Sequence, residues 1–206
     1  LVGKSLVQQL LSDDRFSEVT VFVRRTTGLQ NNKLKEHLVD FDQPQNWQHW
    51  IQGDVLFSTL GTTMAKAGSK DAQYKIDFTY QYEAARAAAV NGVPTYVLIS
   101  SAGASSSSKI FYSKMKGELE EAIKKLLFRS IHILQPGILA GDREESRLGE
   151  NIGVSVLNVL HHFPGLGAYK PIPAPVVARA MINSALKDSV GVHTSTLKEV
   201  FALAEK

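Results

Sequence analysis

Cysteine is absent from this 206-residue chain, which excludes disulfides and thiolate metal sites and suits a reducing compartment. No apolar run is long enough to span a bilayer and no signal-like segment precedes the first helical pattern. The expectation is therefore a cytoplasmic protein with no membrane partner. Charge of one sign is also scarce, with 23 Lys and Arg against 20 Asp and Glu and a formal net charge of +3. Apart from pairs such as Arg24-Arg25 and Lys124-Lys125 the basic residues are scattered, so the dense basic patch that nucleic acid requires is missing. The chain opens at Leu1-Val2-Gly3-Lys4, without Met and without a full Gly-rich fingerprint.

What is present is a hydrophobic content of 44%, enough for one domain over residues 1–206 with a substantial core. A first helix carries Leu6, Val7, Leu10 and Leu11, and Asp13-Asp14 breaks it. Val19 to Val23 reads as a buried strand by its β-branched content, with a second short strand expected at His37 to Asp40. Trp47 and Trp50 suggest a short covering helix. Another strand spans Asp54 to Thr59, and a long helix runs from about Asp71 to Asn91, its alanine clusters permitting close contact with a sheet. Thr95 to Ile99, a helix from Phe111 to Leu127, and Ser130 to Leu134 continue the alternation. Alternating strands and helices predict a Rossmann-like, doubly wound parallel sheet with helices on both faces.

Beyond Gly141 the pattern loosens, and residues 141–175 are expected to shape a small substrate pocket around a helix at Ile152 to Leu160. A helix near Val176 to Leu186 and a tail helix from about Thr196, with a Thr196/Glu199 capping box, complete the chain. Serines 105 to 108 look like a flexible loop tip. His161-His162 are adjacent and diverge on a helix, so no metal site is expected there.

Tyr112-x-x-x-Lys116 sets a phenol and an ammonium four residues apart on one helical face. Such pairs are common on amphipathic helices as a half-buried ring and a solvated ammonium. Order supplies the weight: a strand, then Ser100-Ser101, a loop, and a helix opening with Tyr. At this point the chain resembles the short-chain dehydrogenase/reductase superfamily, whose site is a Ser followed by Tyr-x-x-x-Lys. The resemblance implies hydride transfer between a nicotinamide cofactor and a carbonyl, with Tyr112 as acid. Ser101 is preferred to Ser100 for the carbonyl-orienting hydroxyl, because the superfamily usually uses the second serine and strand alternation turns only one toward the pocket. A free phenol ionises near pH 10. An ammonium about 4 Å away would favour the phenolate by on the order of 4 kcal/mol at an effective dielectric of about 20, so Lys116 is expected to tune Tyr112 while also reaching the nicotinamide ribose.

In open α/β sheets ligands bind beyond the carboxyl ends of the strands, with a pyrophosphate at the first helix N-terminus. Gly3 stands as the last glycine of such a turn. The rest of that turn and a first strand, lying between those at Val19 and Val55, are expected ahead of Leu1. About twenty residues on, where an acid would bond the NAD ribose, the chain has Arg24-Arg25, which suits the 2′-phosphate of NADP. Leu60-Gly61-Thr62 ends a strand where glycine lets the backbone approach a cofactor.

Leu60-Gly61-Thr62-Thr63, Ser100-Ser101-x-Gly103-Ala104, Tyr112-x-x-x-Lys116-Gly117-Glu118-x-Glu120, Pro136-Gly137 and Asp142-Arg143-x-Glu145-Ser146-Arg147 together resemble the Tat-interacting oxidoreductase family of atypical short-chain dehydrogenases and its bacterial relatives. The resemblance implies NADP contacts at Val2, Arg24, Arg25, Leu60, Gly61, Tyr112, Lys116, Leu139 and Arg147. The expected activity is NADPH-dependent reduction of a small carbonyl compound, or oxidation of the matching alcohol. Two alternatives stand beside it, a non-catalytic NADPH-binding regulator and a nucleotide-sugar epimerase or reductase. A small-molecule substrate is the expected partner, and a homodimer the assembly considered.

Overall fold

The computed structural model describes residues 1–140 and 171–205. Helix α1 (Val2–Ser12) leads into the parallel pair β1 (Val19–Val23) and β2 (Leu34–Leu38). Then follow β3 (Val55–Ser58), the short helices α2 (Met64–Ala67) and α3 (Lys70–Tyr74), a π-helical turn Lys75–Thr79, α4 (Tyr80–Val90), β4 (Thr95–Ile99), α5 (Phe111–Ile123) and β5 (Ser130–Gln135). Two-residue strands β6 (Leu139–Ala140) and β7 (Ile172–Pro173) pair in parallel before α6 (Ala174–Ala185), β8 (Gly191–Thr196) and α7 (Lys198–Ala204). The main sheet has order β3-β4-β5-β8, all parallel. No ladder joins β1 to β3 among the described residues. Side chains connect them instead, for Val19, Val21, Val55 and Phe57 share one apolar cluster.

Side-chain alternation in β4 decides which helices cover which face. Val97 and Ile99 point into the cluster formed with Val2, Leu6 and Leu10 of α1 and Val177 and Met181 of α6. Tyr96 and Leu98 point the other way, against Ala85 of α4 and Leu119 and Ile123 of α5. A strand buried on both faces needs helices on both, which is the doubly wound arrangement. Each of these fully buried large side chains contributes roughly 1.5–3 kcal/mol relative to exposure. Alanines at 85, 87 and 88, all buried, bring α4 close to the sheet.

Several boundaries differ from expectation. The second strand starts at Leu34 because its pairing with Val19–Val23 sets the register, not its own short apolar run. The Trp47–Trp50 segment forms two 3-10 turns, Pro44–Asn46 and Gln48–Trp50, with Trp47 buried and its Nε1 donating to the Asp40 carbonyl at 2.8 Å. The helix opened by Tyr112 stops at Ile123, leaving Leu127 90% exposed. Strand β8 escapes sequence reading because Gly191–Thr196 is polar and exposed along an edge. It displaces the start of the tail helix to Lys198, so Glu199 reaches back to the Thr196 amide at 2.7 Å without a full capping box. The expected helix at 152–160 lies outside the described residues.

Candidate functional site

Parallel strands deliver their carboxyl ends to one side of the sheet, and several of the expected site residues stand in the turns that follow them. β3 runs out into Leu60, Gly61 and Thr62, and β4 into Ser100 and Ser101. Gly3 lies in the first turn of α1, and a Cβ placed on it would come within 2.7 Å of Thr59 Oγ1 beyond β3. Its neighbour Val2 is buried in the core. Arg24 and Arg25 follow β1, both exposed. In the next loop the Thr27 amide donates to Glu36 Oε2 at 2.7 Å, fixing the chain just beyond the two arginines. Leu139 sits in β6, half-buried and paired with Ile172. Arg147 lies outside the described residues.

Helix α5 carries Tyr112, 37% exposed, and Lys116, 4% exposed, in successive turns. The Lys116 ammonium stands 6.0 Å from the Tyr112 ring centroid. Its ion-pair partner is Asp77, 3.3 Å away and 1% exposed. The other carboxylate oxygen of Asp77 accepts from the Thr62 amide at 3.1 Å. One buried carboxylate thus ties the lysine to the turn that follows β3. A Cβ on Gly61 would meet Asp77 Oδ1 at 2.9 Å, so glycine is what lets that turn lie over the acid. An anion this close offsets part of the ammonium's field, and the Coulomb figure expected from sequence is an upper bound here.

Asp77 was not among the expected residues. It stands on the π turn Lys75–Thr79, which interrupts the helical run between Lys70 and Val90. An inserted residue in such a turn changes which side chains face inward and releases a backbone carbonyl. Here Gln81 Nε2 donates to the Asp77 carbonyl at 2.7 Å, and Ser58 Oγ donates to Gln81 Oε1 at 2.7 Å. Gln73, Asp77 and Gln81 recur every four residues, and all are buried, so a polar row that reads in sequence as a solvated helix face instead turns inward.

The serine pair divides as strand alternation requires. Ser100 is buried and its hydroxyl donates to Glu120 Oε1 at 2.5 Å, toward α5. Ser101 is half-buried, with a single long contact of 3.4 Å to the Ala102 carbonyl among the described residues. The serine loop is exposed at Ser105 to Ser107 and tied down at its start, where the Ser105 amide donates to the Ser113 carbonyl of α5 at 3.0 Å. Gly117 permits this, since a Cβ there would lie 2.2 Å from both Ser105 C and Ser106 N.

This arrangement can hold an extended dinucleotide along the strand ends. Small residues open the sheet edge, exposed guanidinium groups stand at the end of β1, and a phenol, a buried ammonium and a serine hydroxyl come from neighbouring elements at the far side. Among the described residues, no group of three His, Cys, Asp or Glu side chains could hold a metal ion.

Residues 1–144 match the NAD(P)H-binding family. The protein FMP52-1, mitochondrial, of Scheffersomyces stipitis is 38% identical over 191 residues, covering 90% of this chain and 84% of that one. Protein HTATIP2 of Rattus norvegicus is 34% identical over 193 residues, covering 92% and 78%. Among solved structures, the oxidoreductase ylbE from Lactococcus lactis superposes with a TM-score of 0.68 at 20% identity over 99% of this chain and 90% of that one. The cytoplasmic expectation gives way at this point, because several of the relatives are named mitochondrial proteins. Lack of cysteine speaks to thiol chemistry and carries no organelle address. The parallel sheet, the residues at its carboxyl edge and these similarities agree: the chain belongs to the NAD(P)H-binding family, as an atypical short-chain dehydrogenase/reductase related to HTATIP2 and FMP52.

Proposed function

We propose that this protein is an NADPH-dependent oxidoreductase acting on a small carbonyl compound or its alcohol. The observation that carries the reading is the chain of contacts from Tyr112 through Lys116 and Asp77 to the Thr62 amide, which joins a proton donor to the loop proposed to line the cofactor. When bound, the nicotinamide supplies hydride to the carbonyl carbon. Tyr112 then gives its hydroxyl proton to the oxygen as negative charge develops there. Ser101 donates a hydrogen bond that holds the same oxygen, and Lys116 engages the ribose hydroxyls. Arg24 and Arg25 grip the 2′-phosphate with charge-assisted hydrogen bonds, selecting NADP over NAD. Val2, Gly3, Leu60, Gly61 and Thr62 contribute backbone and small surface along the dinucleotide, with Leu139 and Arg147 as further proposed contacts. The names of the FMP52 relatives support a mitochondrial setting.

The test is a panel of carbonyl compounds followed at the NADPH absorbance band, with calorimetric titration of NADPH and NADH. Turnover with NADPH binding more tightly than NADH supports the proposal. Tight NADPH binding without turnover across the panel would favour a cofactor-sensing regulator, and tighter NADH binding would remove the arginine argument.

A further inference from the structure

Glu120 is a buried carboxylate to which the proposed reaction assigns no role. It is 5% exposed, one turn beyond Lys116 and two beyond Tyr112 on α5, so the three side chains share a helical face. Burying a carboxylate is costly unless donors surround it. Here three hydrogen bonds converge on it: Ser100 Oγ donates to Oε1 at 2.5 Å, and Gln135 Nε2 donates to Oε1 at 2.9 Å and Oε2 at 3.0 Å. These donors belong to neighbouring strand ends. Ser100 follows β4, its amide donating to the Leu134 carbonyl at 2.8 Å, and Gln135 is the last residue of β5. The residue after Ser100 is Ser101, half-buried, the serine proposed to hold the carbonyl oxygen.

We infer that Glu120 is a positioning residue for the proposed reaction: through Ser100 and Gln135 it locks the end of β4 against α5, so that Ser101 and Tyr112 address one carbonyl oxygen. The inference rests on the carbonyl-reduction reading. A leucine at 120 would fill similar volume but leave the Ser100 hydroxyl and the Gln135 amide without an acceptor. A glutamine would keep one oxygen for Ser100 and, with the Gln135 amide rotated, a partner for that residue too.

The experiment measures kcat, the KM for NADPH and melting temperature for the parent chain, Glu120→Leu, Glu120→Gln, Ser100→Ala and the Ser100→Ala/Glu120→Leu double variant. For Glu120→Leu the expected result is a kcat lower by about tenfold or more with the KM for NADPH within about twofold, as misplacement of reacting groups predicts. Glu120→Gln should recover to within about threefold of the parent, and the double variant should be no slower than the worse single variant, because both changes break one link. A folded Glu120→Leu protein with parental kcat, or Ser100→Ala and Glu120→Leu effects that multiply, would overturn the inference while leaving carbonyl reduction standing. A parent chain with no turnover on any carbonyl overturns the reduction reading, and this inference with it.

Discussion

Tyr112 is partly exposed while Lys116, one turn on, is buried, so their contributions separate experimentally. Tyr112→Phe removes only a hydroxyl, and turnover should fall by about 10²–10⁴-fold, the usual worth of a general acid, while NADPH binding by calorimetry stays near that of the parent. Unchanged turnover would remove Tyr112 from the mechanism. Asp77 belongs to a different category. Asp77→Ala leaves a buried ammonium without its anion and the Thr62 amide without its acceptor, and urea unfolding should show a loss of about 3–5 kcal/mol, the range for breaking a buried pair. Arg24 and Arg25 are exposed and contribute little to folding. Replacing both with Ala should weaken NADPH by about tenfold or more while changing NADH little, at roughly 1.5–3 kcal/mol per hydrogen bond to a charged group. Equal weakening of both cofactors would show that the pair does not read the 2′-phosphate.

Elements place these residues through two irregularities. The π turn at Lys75–Thr79 turns Asp77 inward from a helix that would otherwise present a continuous α-helical face. Gly117 lets the loop after β4 lie against α5. Gly117→Ala would set a Cβ against backbone atoms 2.2 Å away, and backbone cannot give way as a flexible side-chain end can. Melting and denaturant curves should register a loss of about 1–3 kcal/mol, as for an overpacked site. Amide exchange should rise across residues 103–108 in the same variant, and unchanged exchange there would mean the loop is not held by this contact. Sequence periodicity located the strand and helix carrying the candidate site to within a few residues. It missed both irregularities, because a π turn and a glycine's absent clash are set by neighbours distant in the chain.

At the scale of the whole molecule, acid stability should depend in part on a buried histidine within the main sheet. His132 of β5 is buried, stacks on His193 of β8 with ring centroids 5.1 Å apart, and shares its Nε2 with Ser130 Oγ at 2.9 Å. Burial, then His193 and Lys187, hold its pKa down to about 4 from 6.5. The unfolded chain therefore binds this proton at higher pH than the folded one. The contribution is intact above pH 6.5 and is lost as pH falls from 6.5 toward 4. Denaturant midpoints across that window should decline less steeply in His132→Phe than in the parent, and parallel curves would show that this histidine does not govern the response. Asp13, held down to about 2 chiefly by its hydrogen bond from the Arg15 side chain, acts in a separate window, its contribution fading only as pH falls from about 3.8 toward 2.

The sequence by itself determined the alternation of strands and helices, the two-faced burial of β4 and the serine, tyrosine and lysine that the family resemblance picks out. Those signals are local: β-branched runs, apolar spacing and a motif within a few turns of chain. Tertiary structure alone decided that Lys116 pairs with Asp77, that Glu120 holds Ser100, and that a polar stretch such as Gly191–Thr196 becomes the edge strand. Each of these depends on a partner far along the chain, and the cost of leaving a buried polar group unpaired fixes such partners only once the chain has folded.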